Sequence, residues 1–214
     1  MVRTGRPRAK GPSASGLTTE QDILHAAGKL FGELGYGGTS THAIAQAAGI
    51  SQAAMYHYFP GKHTILLELL LRTVKPSIEY ALSLAERDEP ADVRLWALCS
   101  YDVTLLARGE NNTGALYLLP DLSDEKFAAF HAERERLFGV YRELVDVVAG
   151  RAGQAGLVFG LVESVILRRR TEPGLHPEQV APAVADAVLR VLQVGETRLA
   201  QVRDEAAVLE KVAD

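Results

Sequence analysis

The chain has 214 residues, 47% apolar and 23% charged, with a formal net charge of −4. That length buries a sizeable core in one domain or two small ones, and the balance excludes a disordered or fibrous chain. The single cysteine, Cys99, excludes an intramolecular disulfide framework and suits a reducing cytosol, and no apolar run reaches the length of a membrane span, so a cytoplasmic protein without a membrane partner is expected.

Residues 1–16, MVRTGRPRAKGPSASG, contain no acid and no apolar segment of the kind a secretory signal needs. They predict a mobile basic arm. Within it, Arg3 and Arg8 flank a Gly5-Arg6-Pro7 core that resembles an AT-hook. Such an arm either follows the negative potential of a narrow minor groove or adds only nonspecific affinity. The wider charge distribution agrees with a nucleic-acid partner at this end. Residues 1–75 carry eight Lys/Arg against four acids, and the remainder carry 15 against 23. Chance imbalance on a solvated surface is the alternative.

A first helix starts at Thr18 or Thr19, with Ile23, Leu24, Ala27, Leu30, Phe31 and Leu34 as its apolar stripe and Gly35 as its stop. Two short helices follow. Ser40 caps the first, whose inner face carries Ile44, Ala45 and Ala48; Gly49 makes the turn; Ser51 caps the second, with Ile50 and Met55 at the spacing of a hydrophobic staple. The small alanines let the two helices cross closely. This is the pattern of a helix-turn-helix, whose second helix enters the DNA major groove.

The residue order is narrower than the general motif. Gly35-Tyr36, Thr39-Ser40, Ile44-Ala45, Ala48-Gly49-Ile50-Ser51, Tyr56, Phe59 and Lys62 together resemble the DNA-binding domain of the TetR/AcrR family of bacterial transcriptional regulators. The likeness covers roughly residues 18–71. Met55 stands where that family usually has Leu, and Tyr58 where His is common. The resemblance implies DNA-facing residues at both short helices: Ser40, Thr41 and His42 on the first, Ser51, Gln52, Ala53, Ala54, Tyr56, His57 and Tyr58 on the second, then Lys62.

The chemistry of these residue types agrees. A Gln52 amide at the entering end of the second helix pairs bidentately with adenine, and Ala53 and Ala54 permit close approach and contact with a thymine methyl. Tyrosine hydroxyls and a lysine at Lys62 suit phosphate oxygens, which position the head without reading sequence. The competing readings are a solvated glutamine, plain helix propensity for the alanines and a core aromatic at Tyr56. His42, His57 and His63 lie on different helices with no Cys or carboxylate at ligand spacing, so neither a metal nor a cofactor is expected.

Past the Pro60-Gly61 turn, a helix carries Ile65, Leu66, Leu69 and Leu70 inward, and Pro76 ends or kinks it. Helical patterns continue over 93–107, a short stretch at 114–118, then 124–149, 154–169 and 177–194, while 196–214 is helix-compatible but polar and either frays or packs on a neighbour. The expected fold is all-α. The arm spans 1–16, a helix-turn-helix DNA-binding domain 17–62, and a ligand-binding and dimerisation domain 63–214, with helix 63–75 as the connector.

Two sets of residues in the body invite a role. Trp96, Cys99, Tyr101, Asp102, Tyr117, Phe127, Phe130 and Phe138 line either an effector pocket or an ordinary helical core. Gly156 and Gly160 put a smooth groove on a helix that also carries Phe159 and Glu163. With Val184 and Val188 of the following helix they form either a close seam inside one subunit or the four-helix dimer interface that the resemblance implies. No nucleophile with its base, metal cluster or glycine-rich phosphate loop is present, so an enzyme is not expected. The resemblance implies a homodimeric regulator of a palindromic operator, acting as a repressor released by a small-molecule effector. An architectural DNA-binding protein without an effector is the alternative.

Overall fold

A computed structural model describes residues 16–108, 112–172 and 174–210. The basic arm, with Arg3, Arg6 and Arg8, lies outside them. Every regular element among the described residues is helical, as the sequence predicts. The chain divides into two compact units at Leu70/Leu71.

The first unit is built on α1 (Thr19–Gly38), α2 (Thr41–Ala47), α3 (Gln52–Tyr58) and the start of α4 (Lys62–Ala85). Thr18 opens α1 with a capping box. Its hydroxyl accepts from Gln21 N at 3.2 Å, and the Gln21 side chain accepts from Thr18 N at 2.9 Å. Gly35, at φ 75°, breaks the helical geometry at the expected stop. The apolar stripe is shorter than expected. Leu34 is 57% exposed, and Tyr36 beyond the glycine takes its place, edge-on to Phe31 with ring centroids 5.3 Å apart. Ser40 and Ser51 each accept a hydrogen bond, from Ala43 N and Ala54 N, both at 3.1 Å. Gly49 adopts φ 69° between α2 and α3. Ile44, Ala45, Met55, Phe59, Ile65 and Leu66 close the core of this unit with Ile23, Leu24, Ala27 and Phe31.

Pro76 does not end α4, which runs on to Ala85. The second unit packs around α5 (Ala91–Ala107), which is buried from Leu95 to Ser100 without a break, because its sequence is apolar around most of its circumference. Helices α6 (Ala128–Ala149), α7 (Ala155–Thr171), α8 (Pro177–Val191) and α9 (Glu196–Glu210) all contact it.

Three element boundaries differ from expectation. The 114–118 stretch is a 3₁₀ helix, Thr113–Leu118. Regular α6 begins at Ala128, because Asp124 caps a short 3₁₀ helix over Glu125–Phe127 by accepting from Lys126 N at 3.0 Å. Helix α8 stops at Val191 because Gln193 turns left-handed, φ 65°, and Val194 N donates back to Leu189 O at 3.0 Å. Helix α9 packs rather than frays through 210, burying Leu199, Val202, Ala206 and Leu209. Arg203 pairs with Asp186, which also accepts from Trp96 Nε1 at 2.9 Å, so a single carboxylate ties α5, α8 and α9 together. No helix among the described residues is long and apolar enough to cross a membrane.

Candidate functional site

On α2 and α3 the expected DNA-facing residues form one constellation centred on Thr41, which composition alone does not single out. Gln52 Nε2 donates to Thr41 Oγ1 at 2.9 Å, and the Tyr56 and Thr41 hydroxyls are hydrogen-bonded at 3.2 Å. Thr41 thereby holds the two most chemically capable side chains of α3 in fixed orientations. Gln52 keeps its carbonyl oxygen and one N–H outside this bond, which is the donor and acceptor pair an adenine edge requires. Ala53 and His57 are exposed beside it, Ala54 is half-buried, and Tyr56 and Tyr58 are exposed. His42 is exposed on α2. The Ser40 and Ser51 hydroxyls accept from the helix N-termini, so their first task is capping.

Lys62 has a partner set that sequence reasoning missed. Its ammonium donates to Tyr36 O at 2.6 Å and Thr39 O at 2.9 Å and lies 4.3 Å from the Tyr36 ring centroid. It therefore clamps the start of α4 to the end of α1, and a phosphate role is left with at most its third N–H. Thr39 strengthens the same corner, donating to Gly35 O at 2.8 Å.

In the second unit a small cavity is lined by α4, α5, α6, α7 and the Thr113–Leu118 turn. It offers about 20 Å3 to the centre of a water-sized sphere, room for roughly one water. Its walls are more polar than the apolar pocket expected. Of the eight sequence candidates, Asp102 and Tyr117 line it, joined by Thr73, Ser77, Arg134 and Glu163. The other six serve packing or contacts elsewhere. Trp96 is held by Asp186, Tyr101 stacks on Tyr80 at 4.4 Å, Phe130 backs Tyr117 at 5.1 Å, and Phe138 meets Phe159 at 5.5 Å. Phe127 is core, and Cys99 is fully buried, its thiol pushed up by desolvation and by Asp102.

Asp102 is the electrostatic centre of the cavity. Its Oδ2 accepts from Tyr141 at 2.7 Å, and burial pushes its carboxyl up to about 7. The Tyr141 hydrogen bond and the nearby Ser77 hydroxyl oppose that rise, and the Glu163 charge adds to it. Arg134 grips Glu163 with three contacts of 2.6–3.0 Å and stacks 4.9 Å over Phe159. Burial also raises Tyr117, whose hydroxyl is bonded to Thr73.

Of the proposed dimer residues, Phe159, Val184 and Val188 are buried within the single subunit, and Glu163 is half-buried and paired with Arg134. Gly156 and Gly160 remain on the open face of α7, where an added Cβ would meet nothing within 4 Å. Leu157 and Leu167 share that face, 56% and 54% exposed. Among the described residues no group of three His, Cys, Asp or Glu gathers at metal-binding spacing.

A capped helix-turn-helix whose second helix presents an amide and tyrosine hydroxyls, followed by a helical second unit, is the architecture of a DNA-binding transcriptional regulator. The chain belongs to the tetR family of bacterial regulatory proteins, whose sequence profile matches residues 23–69. AmtR of Mycobacterium smegmatis is 39% identical, with a TM-score of 0.87 over 94% of this chain and 98% of that one. The TetR family transcriptional regulator PfmR of Thermus thermophilus is 29% identical, with a TM-score of 0.67 over 78% of this chain and 97% of its own. The nucleoid occlusion factor SlmA of Glaesserella parasuis is 27% identical over 76% of this chain and 86% of its own length.

Proposed function

We propose that the protein is a cytoplasmic homodimeric repressor. Its two heads grip a palindromic operator, and a small molecule held in the second unit releases them. It acts by binding alone. The observation that carries the DNA half is the Thr41–Gln52–Tyr56 constellation, a base-reading amide already oriented on the exposed side of α3. The open Gly156/Gly160 face of α7 supports the dimer, since close helix approach needs small residues and exposed apolar neighbours. The cavity supports the effector. Thr73 and Ser77 on its wall belong to α4, the helix whose first turns lie in the head. A ligand that prefers one position of α4 shifts the population towards head spacings that no longer match successive grooves.

A second reading, an architectural DNA-binding protein, draws support from the similarity to a nucleoid occlusion factor. Sequencing the genomic fragments retained by the purified protein separates the two. One palindromic motif upstream of a few genes is the expected result. Many dispersed sites with no promoter association would favour the architectural reading.

A further inference from the structure

We propose that the cavity of the second unit takes a small cation, an ammonium group of about the size of a water, seated on Asp102. The inference rests on the reading of this unit as the effector-binding part and names the chemistry of its ligand.

Asp102 is 3% exposed and lines the cavity, and while its Oδ2 is satisfied by Tyr141, its Oδ1 is buried with no hydrogen-bond partner among the described residues. A buried carboxylate oxygen without a donor is strongly unfavourable, so such an atom marks a place where a donor arrives. The walls supply none that is uncommitted and charged. The Arg134 guanidinium faces the cavity, but it is bonded to both oxygens of Glu163 and stacked on Phe159. That pair cancels, leaving the Asp102 charge uncompensated. An anionic ligand would meet two carboxylates, and an apolar one would leave Oδ1 orphaned. A cation with N–H donors satisfies the oxygen and the charge together. Thr73 and Ser77 of α4 line the same cavity, so an occupant of it would touch α4.

Without a ligand, a proton serves the same end. Desolvation raises Asp102 to about 7, and the ionisable groups around it are Glu163 from α7, Arg134 and Tyr141 from α6, Tyr117 from the 3₁₀ turn, and Cys99 and Tyr101 from α5 itself. The cation and the proton therefore compete for one carboxylate. Binding releases a proton when it occurs below this value, and affinity rises about tenfold between pH 6 and pH 8.

The test uses the full-length protein and four probes: ammonium, methylammonium, methanol as the neutral near-isostere of methylammonium, and formate. Binding is followed by melting temperature and, for the carbon-bearing probes, by ligand-observed NMR. Ammonium or methylammonium is expected to bind at least tenfold more tightly than methanol or formate at pH 8, to lose that preference by pH 6, and to lack it at both pH values in Asp102→Asn. The wild-type pH profile decides the matter if the variant folds poorly. Failure of both cations to bind at millimolar concentration, equal binding of all probes, tighter formate, or a preference that survives Asp102→Asn would overturn the proposal. Operator affinity measured with the same probes separates it from the broader reading. An Asp102-dependent cation site that leaves DNA binding unchanged would uphold the site and refute its role as effector pocket.

Discussion

Gln52 and Thr41 are joined across the helix-turn-helix by a 2.9 Å hydrogen bond from the glutamine amide to the threonine hydroxyl. The bond fixes which way the amide presents its donor and acceptor before DNA is met, and this reduces the ordering penalty on binding. Gln52→Ala is expected to relax preference at one base pair per half-site, by about 1–3 kcal/mol. Thr41→Val keeps the shape, removes the hydroxyl, and is expected to produce part of that loss at the same base pair. Competition with single-substituted duplexes measures both. An unchanged preference in Gln52→Ala would refute the base-reading role.

Lys62 is committed to the Tyr36 and Thr39 carbonyls, so its removal acts first on the head's stability. Lys62→Met keeps the length of the side chain and leaves both carbonyls without their donor. Unfolding in urea is expected to show a loss of about 1–3 kcal/mol. The salt dependence of DNA binding is expected to change little. A fall in the salt slope of about one would reassign the ammonium to a phosphate.

Asp102 gives the protein a pH dependence of defined sign. Its folded value, about 7, lies above that of an ordinary carboxyl. The native state therefore holds the proton that the unfolded chain releases, and stability contributed by this group falls as pH rises from about 4 to about 7. The slope approaches about 1.4 kcal/mol per pH unit within that window. Asp102→Asn is expected to flatten it, so the variant gains on the wild type between pH 5 and pH 8 in melting experiments. Parallel curves for the two proteins would contradict the assignment.

The open face of α7 makes a test in which fold and assembly separate. A side chain at Gly160 meets nothing within 4 Å in the single subunit, so Gly160→Leu is expected to fold normally. At a close helix seam between subunits the same leucine forces the helices apart, an overpacking penalty of about 1–3 kcal/mol or more. Ultracentrifugation is expected to show a monomer with a normal circular dichroism spectrum. A Gly160→Leu protein that stays dimeric would remove this face from the interface.

The head is legible in the sequence because its signals are local. Ser40, Ser51 and Thr18 cap helices that start within one residue of them, and Gly35 and Gly49 mark stops by their backbone freedom. Pattern misleads where a side chain's environment depends on what lies opposite. Leu34 has the right spacing for the core and is exposed, while Val184 and Val188 have the right spacing for a dimer seam and are buried within the subunit. The cavity is the least legible part. Asp102 meets Tyr141 across 39 residues and Arg134 meets Glu163 across 29, so no periodicity within one helix announces either pair. Thr41 is among the residues the resemblance implies, but its orienting contacts are not legible for a related reason: Gln52 and Tyr56 lie 11 and 15 residues further on.

The central claim is that this is a sequence-specific operator-binding protein, and the most direct measurement compares its affinity for two duplexes at physiological salt. One carries the palindrome selected from genomic DNA, and the other carries the same bases scrambled. The account predicts a dissociation constant on the order of 10⁻⁸ M or tighter for the palindrome, and at least about 10³-fold weaker binding to the scrambled duplex. Equal affinity for the two, falling together as salt is raised, would contradict it.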